Sequence, residues 1–189
     1  MIAGVLLAAG AGTRFGGDKL LFRPRGKTPI GLTALRNLKA ALSSTVAVVR
    51  PEHVELRQLL EDDDVRVIVC ADAQLGMGHS LAAGVAAQPA ADGWVIALAD
   101  MPRIRPDTIT AVARALEQGA EIVVPVLAGR RGHPVGFSCR FRDQLLALSG
   151  DTGAREIVAA NRPLLRELKV DDPGVIQDID TLADAQRIS

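Results

Sequence analysis

The amino-acid sequence predicts one α/β domain, a mostly parallel β-sheet with helices on both faces and a late β-hairpin inserted into it. Three observations carry this expectation. Apolar runs of strand length alternate with segments of helical periodicity from Ile2 to Val126, the pattern of a sheet built by right-handed strand–helix–strand crossovers. The runs are continuous rather than alternating, as in strands covered on both faces. Finally, 189 residues, 48% of them hydrophobic and 23% charged, suffice for one core and not comfortably for two. Residues 1–189 are therefore read as a single domain.

Ile2 to Leu7 is the first strand, and it runs directly into a glycine-rich stretch from Ala8 to Lys19. Between Pro29 and Leu42 the residues Leu32, Leu35, Leu38 and Leu42 recur at helical spacing, with Arg36 and Lys39 on another face. Val46 to Val49 is the second strand. Pro51 sits at a helix start, Val54, Leu56, Leu59 and Leu60 give that helix its apolar positions, and Glu61-Asp62-Asp63-Asp64 ends it. Consecutive carboxylates repel and stay wet, so this run reads as a solvated turn rather than a metal site.

Val65 to Val69 is the third strand, and Gln74 to Ser80 is a second glycine loop leading into a helix from Leu81 to Ala87. Trp94 to Leu98 is the fourth strand. Pro106 to Glu117 carries Ile109, Val112, Ala113 and Leu116 on one helical stripe, and Ile122 to Val126 is the fifth strand. There the pattern changes. Gly129-Arg130-Arg131-Gly132 reads as a turn, so a hairpin or returning strand through Pro134 to Phe137 replaces a crossover helix. Arg140 to Leu148 and Asp151 to Ala160 are short helices, Leu164 to Val170 a late strand, and Thr181 to Ile188 a terminal helix capped by Asp180 or Thr181.

Bulk properties exclude several function classes. With 22 basic and 22 acidic residues there is no net field to draw nucleic acid or an anionic membrane. Phosphate binding must then be local. Cys70 and Cys139 are far apart and lack metal-ligand spacing, so both read as small buried hydrophobes in a reducing compartment. The apolar start lacks the basic flank of a signal peptide, and a cytoplasmic location is expected.

The first loop is where the chemistry concentrates. A P-loop would need Gly-Lys-Ser/Thr, but Asp18 separates Gly17 from Lys19 and Leu20 follows. A dinucleotide loop starting at Gly10 and Gly12 meets Phe15 where its third glycine belongs. What remains is a strand-to-helix loop whose amides, from Ala8 through Gly12 and Thr13, can cradle a triphosphate while Arg14 and Lys19 neutralise charge. The bland alternative is a turn whose glycines serve geometry alone.

Asp100 in Leu98-Ala99-Asp100-Met101-Pro102 leaves an apolar strand at the binding edge, where it has no packing role beyond a cap. A magnesium ion on a nucleotide is commonly held by one or two carboxylates plus phosphate oxygens. Asp178 and Asp180 are the candidates for the second, pointing to one face of an extended segment. The metal role goes to Asp178 and capping to Asp180. His133, beside Arg130 and Arg131, and Arg155, both in the irregular late half, are candidate contacts for an acceptor phosphate or ring.

Leu7 to Gly16 with Lys19-Leu20-Leu21, Gly76 to Leu81, Leu98 to Pro102, Gly132-His133-Pro134-Val135 and Asp178 to Thr181 together resemble, in order along almost the whole chain, the molybdenum-cofactor nucleotidyltransferases. The similarity is to the cytidylyltransferase branch. It implies a Rossmann-like nucleotidyltransferase fold and transfer of CMP from CTP to the phosphate of molybdopterin, with release of pyrophosphate. By the same resemblance Ala8, Ala9 and Gly10 lie against the base, Arg14 and Lys19 on the triphosphate, Gly78 and Ser80 near the base and ribose, and Asp100 and Asp178 on Mg²⁺. Cytidine-using members resemble Leu-Ala-Ala-Gly here and guanosine-using ones Leu-Ala-Gly-Gly, so Ala9 implies the smaller base. The basic segment Phe22 to Gly31 departs from the family's more apolar one.

A molybdenum oxidoreductase would be the recipient of the product. Two readings from other classes stay open: an NAD(P)-dependent oxidoreductase on a related scaffold, and a non-catalytic carrier of the cofactor. Against the first stands Arg50-Pro51, where an acidic ribose partner belongs.

Overall fold

The computed structural model describes residues 1–187 apart from 11, 13, 14, 16 and 152. An eight-stranded sheet forms its middle layer. In chain order the elements are β1 (Ile2–Leu7), α1 (Ile30–Ala41), β2 (Thr45–Val49), α2 (Val54–Glu61), β3 (Arg66–Val69), α3 (Met77–Ala86), β4 (Gly93–Leu98) and α4 (Pro106–Glu117). Then follow β5 (Ile122–Leu127), β6 (Arg130–Arg131), β7 (Val135–Ser138), α5 (Arg142–Leu146), α6 (Arg155–Ala160), β8 (Leu165–Lys169) and α7 (Leu182–Gln186).

The strands lie in the order β3-β2-β1-β4-β7-β5-β6, with β8 also paired to β5. β1 pairs in parallel with β2 and β4, β2 with β3, and β5 with β8. The returning strand does more than extend an edge. β7 runs antiparallel between β4 and β5, with Phe137 opposite both Trp94 and Ile122. Gly136 suits this place because a Cβ there would come within 2.9 Å of Val112 in α4. The tight turn before it is Ala128–Gly129, and Arg130 and Arg131 already belong to β6.

Continuous apolar strands are explained by two cores, one on each face. Leu6, Ala8, Ala47, Val49, Val95 and Val123 pack with α1, α2 and α4 on one side. Val5, Leu7, Ala9, Val48, Trp94 and Ile96 pack with α3, α5 and α6 on the other. Successive strand residues point oppositely, so only a run apolar at every position can serve both.

Three local expectations change. α3 begins at Met77, so Gly78 and Ser80 lie in its first turns rather than in a loop. The reason is packing: a Cβ on Gly76 or Gly78 would strike the Ser149–Asp151 backbone, and the Gly78 amide donates to the Gly150 carbonyl at 2.8 Å. Thr181 alone caps α7, in a reciprocal capping box with Asp184. Cys70 is buried as expected, whereas Cys139 is exposed. The acidic run is a turn at the end of α2, in which Asp63 accepts from Arg36 at 2.7 and 2.9 Å. Among the described residues no helix is long and apolar enough to cross a membrane.

Candidate active site

The carboxyl ends of β1, β2 and β4 open onto a cavity of about 320 Å³ whose walls include Leu7, Ala9, Gly10, Lys19, Arg50, Gln74, Ser80 and Asp100. This is the edge at which open α/β sheets bind ligands. Ala9 is buried at the floor and Ser80 is buried along α3. A smaller hollow beside it, sharing Gly10 and Lys19, is also lined by Gly12, Gly17, Asp18 and His53. Gly12 has φ of 59°, the left-handed region that favours glycine.

Not every candidate reaches the cavity. Ala8 turns into the α1-side core and spends its amide on the Val48 carbonyl at 2.8 Å. Gly78 is buried against Ser149. Thr13 and Arg14 lie outside the described residues.

Lys19 is held by residues far away in sequence. Its ammonium donates to Asp100 Oδ2 at 2.8 Å, to the Ile179 carbonyl at 3.0 Å and to Asp180 Oδ1 at 3.3 Å. The 178–180 segment reaches this point because the Ile179 amide donates to the Asp100 carbonyl at 3.0 Å. Ile179 is buried, which leaves Asp178 exposed and Asp180 half-buried. Asp180, expected as a helix cap, is thus a partner of Lys19. Burial works against the Lys19 charge, but the hydrogen bonds and charges of Asp100 and Asp180 outweigh it and raise its pKa above 10.5.

A second cavity of about 740 Å³ adjoins the first, sharing the walls Leu7, Met77, Leu98 and Asp151. Its charged and polar lining includes His133, Arg131, Arg155 and Arg162, with Asp151 on the shared wall. Arg131 is engaged by Glu167 at 2.8 Å on the exposed rim. His133 is fixed through its own amide, which donates to the Val175 carbonyl at 2.8 Å. Its Nδ1 is buried, with no hydrogen-bond partner among the described residues. Burial pushes the His133 pKa below 6.5, with the charges of Asp100 and Asp178 partly opposing the shift. The imidazole is therefore neutral near pH 7. It suits a ring or hydrogen-bond contact better than a phosphate counter-charge, for which the arginines are fitted.

Neither Arg50 nor Arg162 is named as a ligand contact from the sequence. A signal for Arg50 existed, since it follows a buried strand at the ligand-binding edge. Arg162 had none. Three oxygen-donor side chains, Asp100, Asp178 and Asp180, come from the two segments joined at Ile179, and two of them already converge on a cation. Hard oxygen donors of this kind fit Mg²⁺ or Mn²⁺ completed by phosphate oxygens.

Residues 4–166 match the family described as MobA-like NTP transferase domain. The chain is 34% identical to purine catabolism protein PucB of Bacillus subtilis, covering 95% of this chain and 92% of that protein. It is 29% identical to nicotine blue oxidoreductase of Paenarthrobacter nicotinovorans, over 99% and 96% of the two chains. With a molybdenum cofactor guanylyltransferase of Cupriavidus pinatubonensis the identity is 27%, over 96% and 92%. Among solved structures, Rv0371c of Mycobacterium tuberculosis superposes with a TM-score of 0.86 at 32% identity, covering 98% of this chain and 95% of that one. Its complex with manganese gives 0.82 at 31% identity, over 98% and 96%.

Proposed function

The chain belongs to the MobA-like NTP transferase family and is a nucleotidyltransferase, and we propose that it transfers CMP from CTP to the phosphate of a molybdopterin-type cofactor. The observation that carries the reading is the pair of adjoining cavities. One is lined by the glycine loop, Lys19 and Asp100, and the other, across a common wall, by His133 and three arginines. A donor nucleotide in the first and an anionic acceptor in the second would meet near Asp100. A guanylyltransferase of the molybdenum cofactor among the relatives supports the acceptor class.

Ala9 supports cytidine as the base. Ala9 lines the first cavity, and a methyl there would take up room that a glycine would leave to a purine. Gly10, Gly12, Thr13 and Ser80 are assigned to the nucleotide, Arg14 and Lys19 to its phosphates, and His133, Arg155 and Arg162 to the acceptor. Asp100, with the carboxylates of the 178–180 segment, would hold Mg²⁺, in line with the manganese complex of the solved relative. When bound, the metal supplies charge neutralisation on the phosphates.

The reaction asks little of an acid or base, because a phosphate-monoester acceptor is already ionised near neutral pH. An acceptor phosphate oxygen forms a bond to the α-phosphorus as the bond from that phosphorus to the bridging oxygen breaks, and pyrophosphate leaves. The protein positions the two anions in line and offsets their charge with Lys19, Arg14 and the arginines of the second cavity. A molybdenum oxidoreductase would then take up the product.

The test is to incubate the protein with each nucleoside triphosphate, Mg²⁺ and molybdopterin and to follow pyrophosphate. Release with CTP alone is the expected result. Release with GTP alone overturns the base assignment, and no release with any triphosphate overturns the reaction. A redox reading is motivated by the relative named nicotine blue oxidoreductase. It would be supported by thermal stabilisation with NADH in place of turnover, although Arg50 stands where a ribose-binding acid is expected.

A further inference from the structure

We propose that Lys19 guards the Asp100–Asp180 carboxylate pair, so that a divalent cation enters only together with the triphosphate that draws the lysine away. The inference rests on the reading of Asp100 as the metal-holding carboxylate. Its basis is a count of hydrogen bonds. A lysine ammonium has three donors, and here Asp100, Asp180 and the Ile179 carbonyl accept from it at 2.8, 3.3 and 3.0 Å. The side chain is only 10% exposed. In this arrangement Lys19 has no donor left for a phosphate, so clamping a triphosphate requires it to leave the carboxylates.

The same arrangement disfavours a metal arriving alone. A divalent ion would have to displace an ammonium held by two carboxylates, and it would gain few ligands in return. Among the described residues there is no group of three or more His, Cys, Asp or Glu side chains placed to hold a metal. Magnesium bound by one or two carboxylates ordinarily relies on phosphate oxygens for the rest. A triphosphate supplies both needs, offering Lys19 a denser anionic partner and the cation its missing oxygens. Metal and nucleotide are then coupled through one side chain, and each strengthens the other's binding.

Binding of Mn²⁺ alone, followed by loss of the electron paramagnetic resonance signal of the free ion, tests this without nucleotide or acceptor. Wild-type protein is expected to bind weakly. Lys19→Met and Lys19→Gln are expected to bind about tenfold more tightly or better, in the usual range of coupling between sites. Adding Asp100→Asn to either variant should abolish the gain. Equal affinity in wild type and both variants, whether strong or weak, overturns the proposal. So does micromolar binding of Mn²⁺ alone to the wild type, a result that needs no variant to fold. Neither outcome touches the choice of base or acceptor, which the pyrophosphate assay decides separately.

Discussion

The Arg50 guanidinium donates from Nε to the backbone carbonyl of Ala9, tying the end of β2 to the first turn beyond β1. Both residues line the first cavity. One side chain thus holds the start of the glycine loop against the strand beside it.

Arg50→Ala should therefore loosen nucleotide binding more than it slows chemistry. A charged hydrogen bond of this kind contributes about 1.5 kcal/mol or somewhat more, which corresponds to roughly a tenfold rise in KM for the triphosphate. Steady-state kinetics with the nucleotide varied checks it. An equal fall in kcat at unchanged KM would place Arg50 in the chemical step instead.

Asp100→Ala is expected to leave the fold intact and lower turnover on the order of a hundredfold or more, as when a preorganised electrostatic contact is removed. Circular dichroism and pyrophosphate release measure the two halves of that statement. Near-normal turnover would remove Asp100 from the mechanism.

Asp172 is 1% exposed, and it accepts from the Arg105 amide at 2.9 Å, the Thr108 hydroxyl at 2.7 Å and the Gly174 amide at 3.0 Å. It pins the start of α4 to the 173–176 turn, whose Val175 carbonyl holds His133. Asp172→Ala leaves those donors without it and should destabilise the protein by about 3 kcal/mol. Urea unfolding tests this, and a loss below about 1 kcal/mol would show that water replaces the carboxylate without cost.

Gly76 has φ of 132°, and a Cβ there would lie 2.1 Å from the Gly150 carbonyl carbon. Backbone cannot swing aside as a side chain can. Gly76→Ala should cost about 2 kcal/mol or more, whereas Gly17→Ala, with nothing among the described residues within 4 Å of its Cβ, should be nearly neutral. Comparable melting temperatures for the two variants would contradict the packing account of α3.

His133 has a pKa held below the ordinary 6.5, chiefly by burial. A depressed value means the folded state resists protonation while the unfolded chain takes up the proton. Its contribution is then fully present above pH 6.5 and is lost as the pH falls through the folded value. Thermal unfolding in a metal chelator should show wild type losing more stability on acidification below that point than His133→Gln. Parallel pH profiles would remove His133 as the cause.

Periodicity and composition are written locally, and they determined the alternation of strand and helix, the two-faced core and the glycine loop at the sheet edge. Leu32, Leu35 and Leu38 announce α1 by their spacing alone, and the unbroken apolar run Ile2–Leu7 announces a strand buried on both sides. Asp100 could be found because an acid after such a strand has nothing to pack against. Tertiary structure alone decided where the late half returned: β7 lies between β4 and β5, and the Ile179 amide meets the Asp100 carbonyl. That backbone bond brings Asp180 to Lys19 across 161 positions of sequence. It also turns an expected helix cap into a partner of that lysine. No local pattern encodes such a meeting, because a backbone amide is the same at every non-proline position and only the packing of the whole chain chooses its acceptor.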